Sequence, residues 1–159
     1  MPERNSMKIR NGFVTNSSSS SFILCFSSPH RVKEDLQKEN LVEETADYIV
    51  HLVETSGAKL SQSKLREMVE REVLEQIRFD RYLFHSRPCR DDALSSFDTP
   101  LEGQWLTKYQ NEVSRILSEC SKYPFVVSVC QDDDTEFGGM MEHEVFPSLK
   151  ATKAVFSHH

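Results

Sequence analysis

No stretch of this chain approaches the ~18 consecutive apolar residues needed to cross a bilayer. Its N-terminus, MPERNSMKIR, has none of the apolar core of a secretory signal. A soluble protein of the reducing cytoplasm is therefore expected, with no membrane partner. Positive charge is also short: 19 Lys and Arg stand against 25 Asp and Glu, a net charge of −6. Nucleic acid is a disfavoured partner, because charge-driven binding to phosphates needs a positive surface. The four cysteines, Cys25, Cys89, Cys120 and Cys130, form no CxxC pair, which excludes a zinc knuckle and a thioredoxin-type redox motif. Cys25, Cys120 and Cys130 sit in apolar runs and read as small core residues. Cys89 lies in a polar stretch. With five glycines in all, the chain has no GxxxxGK[ST] phosphate loop, and it has no HExxH metalloprotease helix. It has no internal repeat.

What is present suits one domain over residues 1–159, with residues 1–6 expected to be disordered. Phe22-Ile23-Leu24-Cys25-Phe26 is apolar at every position, the pattern of a strand covered on both faces. Phe125–Cys130 is a second such strand, and Ala154–Phe156 a short third. Between them, three- and four-residue apolar spacing predicts helices. One carries Val42, Ala46, Ile49, Val50 and Val53, with an Asn40/Glu43 capping box and Gly57 as C-cap. A shorter helical turn is expected over 31–38. The next carries Leu65, Met68, Val69, Val73 and Ile77, with Ser61 or Ser63 as N-cap. The last carries Trp105 to Cys120, with Thr99 as cap, Pro100 in the first position and Glu102 completing a box. Residues 85–98 read as a loop. Arg78, Arg81, Arg87 and Arg90 read as a solvated basic cluster. Phe137–Phe146 fits strand or helix equally. The order predicts an α+β fold, a small β-sheet packed on about three amphipathic helices, with the two apolar strands side by side.

Asn16 and the run Ser17, Ser18, Ser19, Ser20 and Ser21 lie between apolar stretches, Phe13-Val14 and Phe22–Phe26. A flexible linker would separate domains, but few residues precede this run. A tight hydroxyl-rich loop at the mouth of a strand is expected instead, suited to an anion or other ligand. A serine nucleophile would need an adjacent base, and the serines could equally be sites of covalent modification. The segment from Met7 to Ile23, with RNGFVTNSSSSSF at its centre, resembles an RNGFVSNSSSSSF-like N-terminal signature of small uncharacterised proteins, many of them phage-encoded. Thr15 replaces the usual serine. Gly138-Gly139, Glu142-His143 and His158-His159 match a Gly-rich, Glu-His segment and a C-terminal histidine in such proteins. The resemblance implies a phage or bacterial origin, and so the host cytoplasm, but no activity.

Asp132, Asp133, Asp134, Glu136, Glu142, His143 and Glu144 lie close together near the C-terminus, and these are the side chains that bind divalent metals. No calcium-loop register fits: from Asp132 the sixth residue is Phe137, and from Asp133 the fifth is. Glu142, His143 and Glu144 cannot all grip one ion, since a strand alternates them and a helix fans them across roughly 200°. A divalent metal site would draw on Glu142 or His143 with Asp134 or His158. Three functions follow. The first is a small accessory protein acting through a protein partner. The second is an enzyme or a ligand- or metal-binding protein whose site joins the serine loop to Glu142-His143. The third is a substrate for serine modification.

Overall fold

A computed structural model describes residues 19–85 and 99–158. The expectations for residues 1–18 (Asn16, Ser17 and Ser18 among them), for 86–98 with Cys89, Arg87 and Arg90, and for His159 lie outside the described residues.

The fold is α+β. Strand β1, Ser19–Phe26, pairs antiparallel on one side with β3, Phe125–Asp132, and on the other with β4, Thr152–His158. A two-residue strand β2, Ala58–Lys59, extends the sheet beyond β3, giving the order β2-β3-β1-β4. The apolar strands β1 and β3 are therefore neighbours, from Phe26 opposite Phe125 to Ser19 opposite Asp132.

Helices cover both sheet faces, and side-chain alternation sorts the strand residues between them. Phe22, Leu24 and Phe26 of β1 join Val127 and Val129 of β3 in one core. Helices α1, Val32–Gln37, and α2, Glu43–Ser56, supply Leu36, Ala46, Ile49 and Val53 to it. Ile23 and Cys25 face the opposite core with Val126, Ala154 and Phe156. There α3, Gln62–His85, contributes Leu65, Val69, Val73 and Ile77, and α4, Gly103–Cys120, contributes Val113, Ile116 and Cys120. Burial on both sides explains why β1 carries no polar residue from Phe22 to Phe26.

Local signals fare unevenly. Ser61 does cap α3, its Oγ accepting from the Lys64 N–H at 3.3 Å. Gly57 does end α2, in extended rather than left-handed geometry. A Cβ there would lie 2.5 Å from the Val53 carbonyl oxygen and 2.8 Å from Val127 Cγ2, so close packing excludes larger residues. The Asn40/Glu43 box does not form, because α2 begins at Glu43 with Val42 as its uncapped N-cap. The Thr99-Pro100 start of α4 is likewise corrected: the helix begins at Gly103. The Thr99 and Pro100 carbonyls instead accept from the Arg81 guanidinium at 2.9 and 3.1 Å. Arg81 is thus a buried residue of α3, not a solvated loop arginine. Cys130 is exposed, unlike the core thiols Cys25 and Cys120.

Residues 136–148 are helical throughout. They form α5, Glu136–Met140, then a π turn, Met141–Val145, then α6, Phe146–Ser148. Thr135 caps α5 by accepting from the Gly138 N–H at 2.9 Å. A Cβ on Gly138 would lie 2.7 Å from the Asp132 carbonyl oxygen, so only glycine lets this segment turn so tightly against the end of β3. Phe146 stacks on Phe22 with ring centroids 4.8 Å apart, which anchors the segment to β1.

Candidate functional site at the end of the sheet

Ser19, Ser20 and Ser21 are not a loop. They are the first residues of β1, paired on both sides with β3 and β4. Their side chains alternate like those of the apolar residues that follow, so Ser20 shares the face of Phe22 and Ser21 that of Ile23. Two adjacent hydroxyls thereby enter two different environments.

On the first face, the Ser20 hydroxyl donates to Glu142 Oε2 at 2.7 Å. The Glu142 side chain is fully buried. Its other oxygen, Oε1, lies 3.2 Å from His143 Nε2, which in turn lies 3.6 Å from Asp133 Oδ2. The π turn sets this arrangement: it aims Glu142 inward and leaves His143 and Glu144 exposed. Such turns often occur at functional sites. Nearby, buried Gln131 is held by the Tyr48 hydroxyl, which donates to its Oε1 at 2.6 Å. Gln131 Nε2 donates to the Asp132 carbonyl at 2.9 Å, fixing the end of β3 from which Asp133 departs.

Asp133, Glu142 and His143 each offer one donor atom, and the three atoms lie within 4.8 Å of one another. Ligands of a zinc-like ion at ~2.0–2.2 Å stand about 3.3 Å apart in a tetrahedral shell. The two separations of 3.2 and 3.6 Å are already near that spacing. The acidic contributor is Asp133, whereas exposed Asp134 turns back, its N–H donating to Asp132 Oδ1 at 3.3 Å. Of the four metal-ligand candidates Asp134, Glu142, His143 and His158, the fold brings only Glu142 and His143 together.

On the second face, Ser21 Oγ lies 3.2 Å from His158 Nε2 and 3.3 Å from Cys130 Sγ. The same His158 nitrogen lies 3.4 Å from Glu72 Oε2 of α3. A serine–histidine–acid relay uses both ring nitrogens, one for the hydroxyl and one for the acid. Here one nitrogen meets both, so no relay is built. Ser20 and Ser21 are buried and present neither a nucleophile nor a modification acceptor at the surface.

Glu72 escaped the reading of the sequence. Its signal was its place in the α3 stripe, three residues beyond Val69, where an apolar residue belongs. Of the buried thiols, Cys25 is pushed above its ordinary value by hydrogen bonding with Cys120 and by burial. No helix among the described residues is long and apolar enough to cross a membrane.

No protein family matches this chain, and no curated protein or solved structure matches it either.

Proposed function

We propose that the protein binds a divalent transition metal through Asp133, Glu142 and His143, with Ser20 orienting the buried carboxylate. The observation that carries this reading is the convergence of three donor atoms within 4.8 Å around a fully buried glutamate. A buried carboxylate is costly unless hydrogen-bonded or paired with a cation. One imidazole with two carboxylates suits zinc or manganese better than calcium or magnesium, which prefer all-oxygen shells. The Ser20 hydroxyl is an outer-shell partner of the kind that orients metal-bound carboxylates. His143, with half its side chain exposed, leaves the metal's outer side open to water or to a ligand.

Isothermal titration of the full chain with Zn²⁺ tests the reading. Loss of this binding is expected in His143→Ala and in the near-isosteric Glu142→Gln. Unchanged Zn²⁺ affinity in both variants would overturn it.

A second reading, an accessory protein acting on a protein partner, draws on the exposed Phe79 and Phe84 near the C-terminal end of α3, since exposed aromatics favour partner contacts. The phage-like N-terminal signature supports it too. A partner that co-purifies from bacterial lysate with the wild type, and not with Phe79→Ser/Phe84→Ser, would favour it. Equal recovery with both proteins would count against it.

A further inference from the structure

The sheet order β2-β3-β1-β4 leaves two edges, and they differ. The β2 edge is two residues long, Ala58–Lys59, too short to template another strand and guarded by its lysine. The β4 edge runs for seven residues, Thr152–His158. Lys153 forms a bulge against β1, since Leu24 faces Thr152 and Ile23 faces Ala154. Its Nζ turns back to the Lys150 carbonyl at 2.9 Å and lies over the Tyr123 ring at 5.0 Å. The bulge and its lysine therefore guard only the first two residues of the edge.

From Ala154 to His158 the pairing with β1 is regular, and no backbone bond among the described residues reaches the outer side. This stretch contains no Lys, Arg, Asp, Glu or Pro, so it lacks the residues that blunt an open edge. It also shows an apolar side chain to water. Ala154 and Phe156 point into the helix-covered core, whereas Val155 points to the other face and is 41% exposed. A regular, uncharged edge of this kind adds a further strand.

We infer that β4 pairs antiparallel with β4 of a second copy, joining two four-stranded sheets into one of eight strands about a two-fold axis. A second copy brings an identical open edge, so one contact closes both, while a foreign strand would leave its own far side unpaired. The short β2 edge stops growth beyond two copies. With the axis at Phe156, the middle of the regular stretch, Val155 of one copy faces Ser157 of the other and Ala154 faces His158, so no like charges are opposed. The two Val155 side chains become diagonal neighbours on one face. The cleft of about 450 Å³ beside Val155 and Phe156 is lined by Lys108 and Arg115 as well as Asp80 and Glu112, a balanced surface in a chain of net charge −6. Glu72 and Glu75 lie beside the His158 end, and antiparallel pairing sets those ends apart. The inference does not rest on the metal reading, because the Asp133 group takes no part in this edge.

Analytical ultracentrifugation of the full chain at high micromolar concentration, with EDTA present, tests it. The wild type should sediment at twice the chain mass. Val155→Lys and Ser157→Lys replace exposed residues, so each should keep the fold by circular dichroism and sediment at the monomer mass. Phe84→Ser/Leu106→Ser alters exposed apolar residues outside both clefts along β4 and should remain a dimer. A monomeric wild type would overturn the inference. So would a dimer that survives either lysine, or one that dissolves in Phe84→Ser/Leu106→Ser. Should a lysine variant unfold, hydrogen exchange of the wild type decides: protection of amides 154–158 should rise with protein concentration, and protection independent of concentration would overturn the pairing.

Discussion

The two faces of the sheet end present the same kinds of side chain in opposite states. On one, Glu142 is fully buried and its Oε2 receives the Ser20 hydroxyl at 2.7 Å. On the other, Glu72 is nearly as buried but meets only an imidazole at 3.4 Å and opens into a cleft. One strand makes both, because consecutive serines point to opposite sides. A run of identical residues in a β-strand is therefore not one site but two half-sites. Their difference comes from what packs above and below: a π turn that brings its own carboxylate to Ser20, against a long helix that leaves Ser21 to a histidine and a thiol.

The largest effect should come from the anchor of the first face. Phe22→Ala removes the ring stacked on Phe146 and should cost about 3–5 kcal/mol in urea unfolding. Because Phe146 directly follows the π turn, this variant should also lose Zn²⁺ binding at the Asp133 group while the NMR signals of the His158 ring on the other face stay unchanged. If the His158 signals moved as well in a folded variant, the two faces would be one coupled unit and the contrast would fail.

Gly138→Ala comes next. Its Cβ would lie 2.7 Å from a backbone oxygen, which cannot swing aside as a side chain would. Overpacking of this sort costs roughly 1–3 kcal/mol. The damage should be confined to residues 136–148, visible by hydrogen exchange as lost protection there and unchanged protection in α3 and α4. Uniform loss across the molecule would show that this segment is not a separately perturbed face.

How far the sequence foretold all this follows from which interactions are local. β1 was legible because burial on both faces leaves no polar position in Phe22–Phe26. The stripes of α3 and α4 were legible for the equivalent helical reason. The start of α4 was not: Thr99 and Pro100 have their carbonyls taken by Arg81, 18 and 19 residues away, and no capping pattern reports so distant a competitor. Glu142 and His143 stood out by composition. The choice of Asp133 over Asp134 depends on the close approach of Gly138 to the Asp132 carbonyl and on the π turn, neither of which has a clear periodic signature. His158 was visible, but its partner Glu72 is 86 residues away in sequence and on the other side of the sheet from Glu142. Only a charged residue in an apolar stripe hinted at it.

Ser20→Ala tests the closed face directly. It removes a hydrogen bond to a fully buried carboxylate, for which about 1.5–3 kcal/mol is expected because the partner is an ionisable acid that water does not reach. Chemical denaturation measures it. Zn²⁺ affinity should fall as well, since the freed carboxylate loses its orientation. A cost near zero would mean that Glu142 is satisfied without Ser20.

Ser21→Ala, one residue along, should do least. Its hydroxyl meets His158, which is more than a third exposed, and Cys130, which is exposed. Water can replace the lost contact on both partners, so the cost should stay within about 0.5–1.5 kcal/mol, the ordinary net value of a neutral hydrogen bond. The ratio between the two serine variants is the sharpest measure of the asymmetry, because strand position, residue type and substitution are the same. If Ser21→Ala proved as costly as Ser20→Ala, the second face would be as closed as the first.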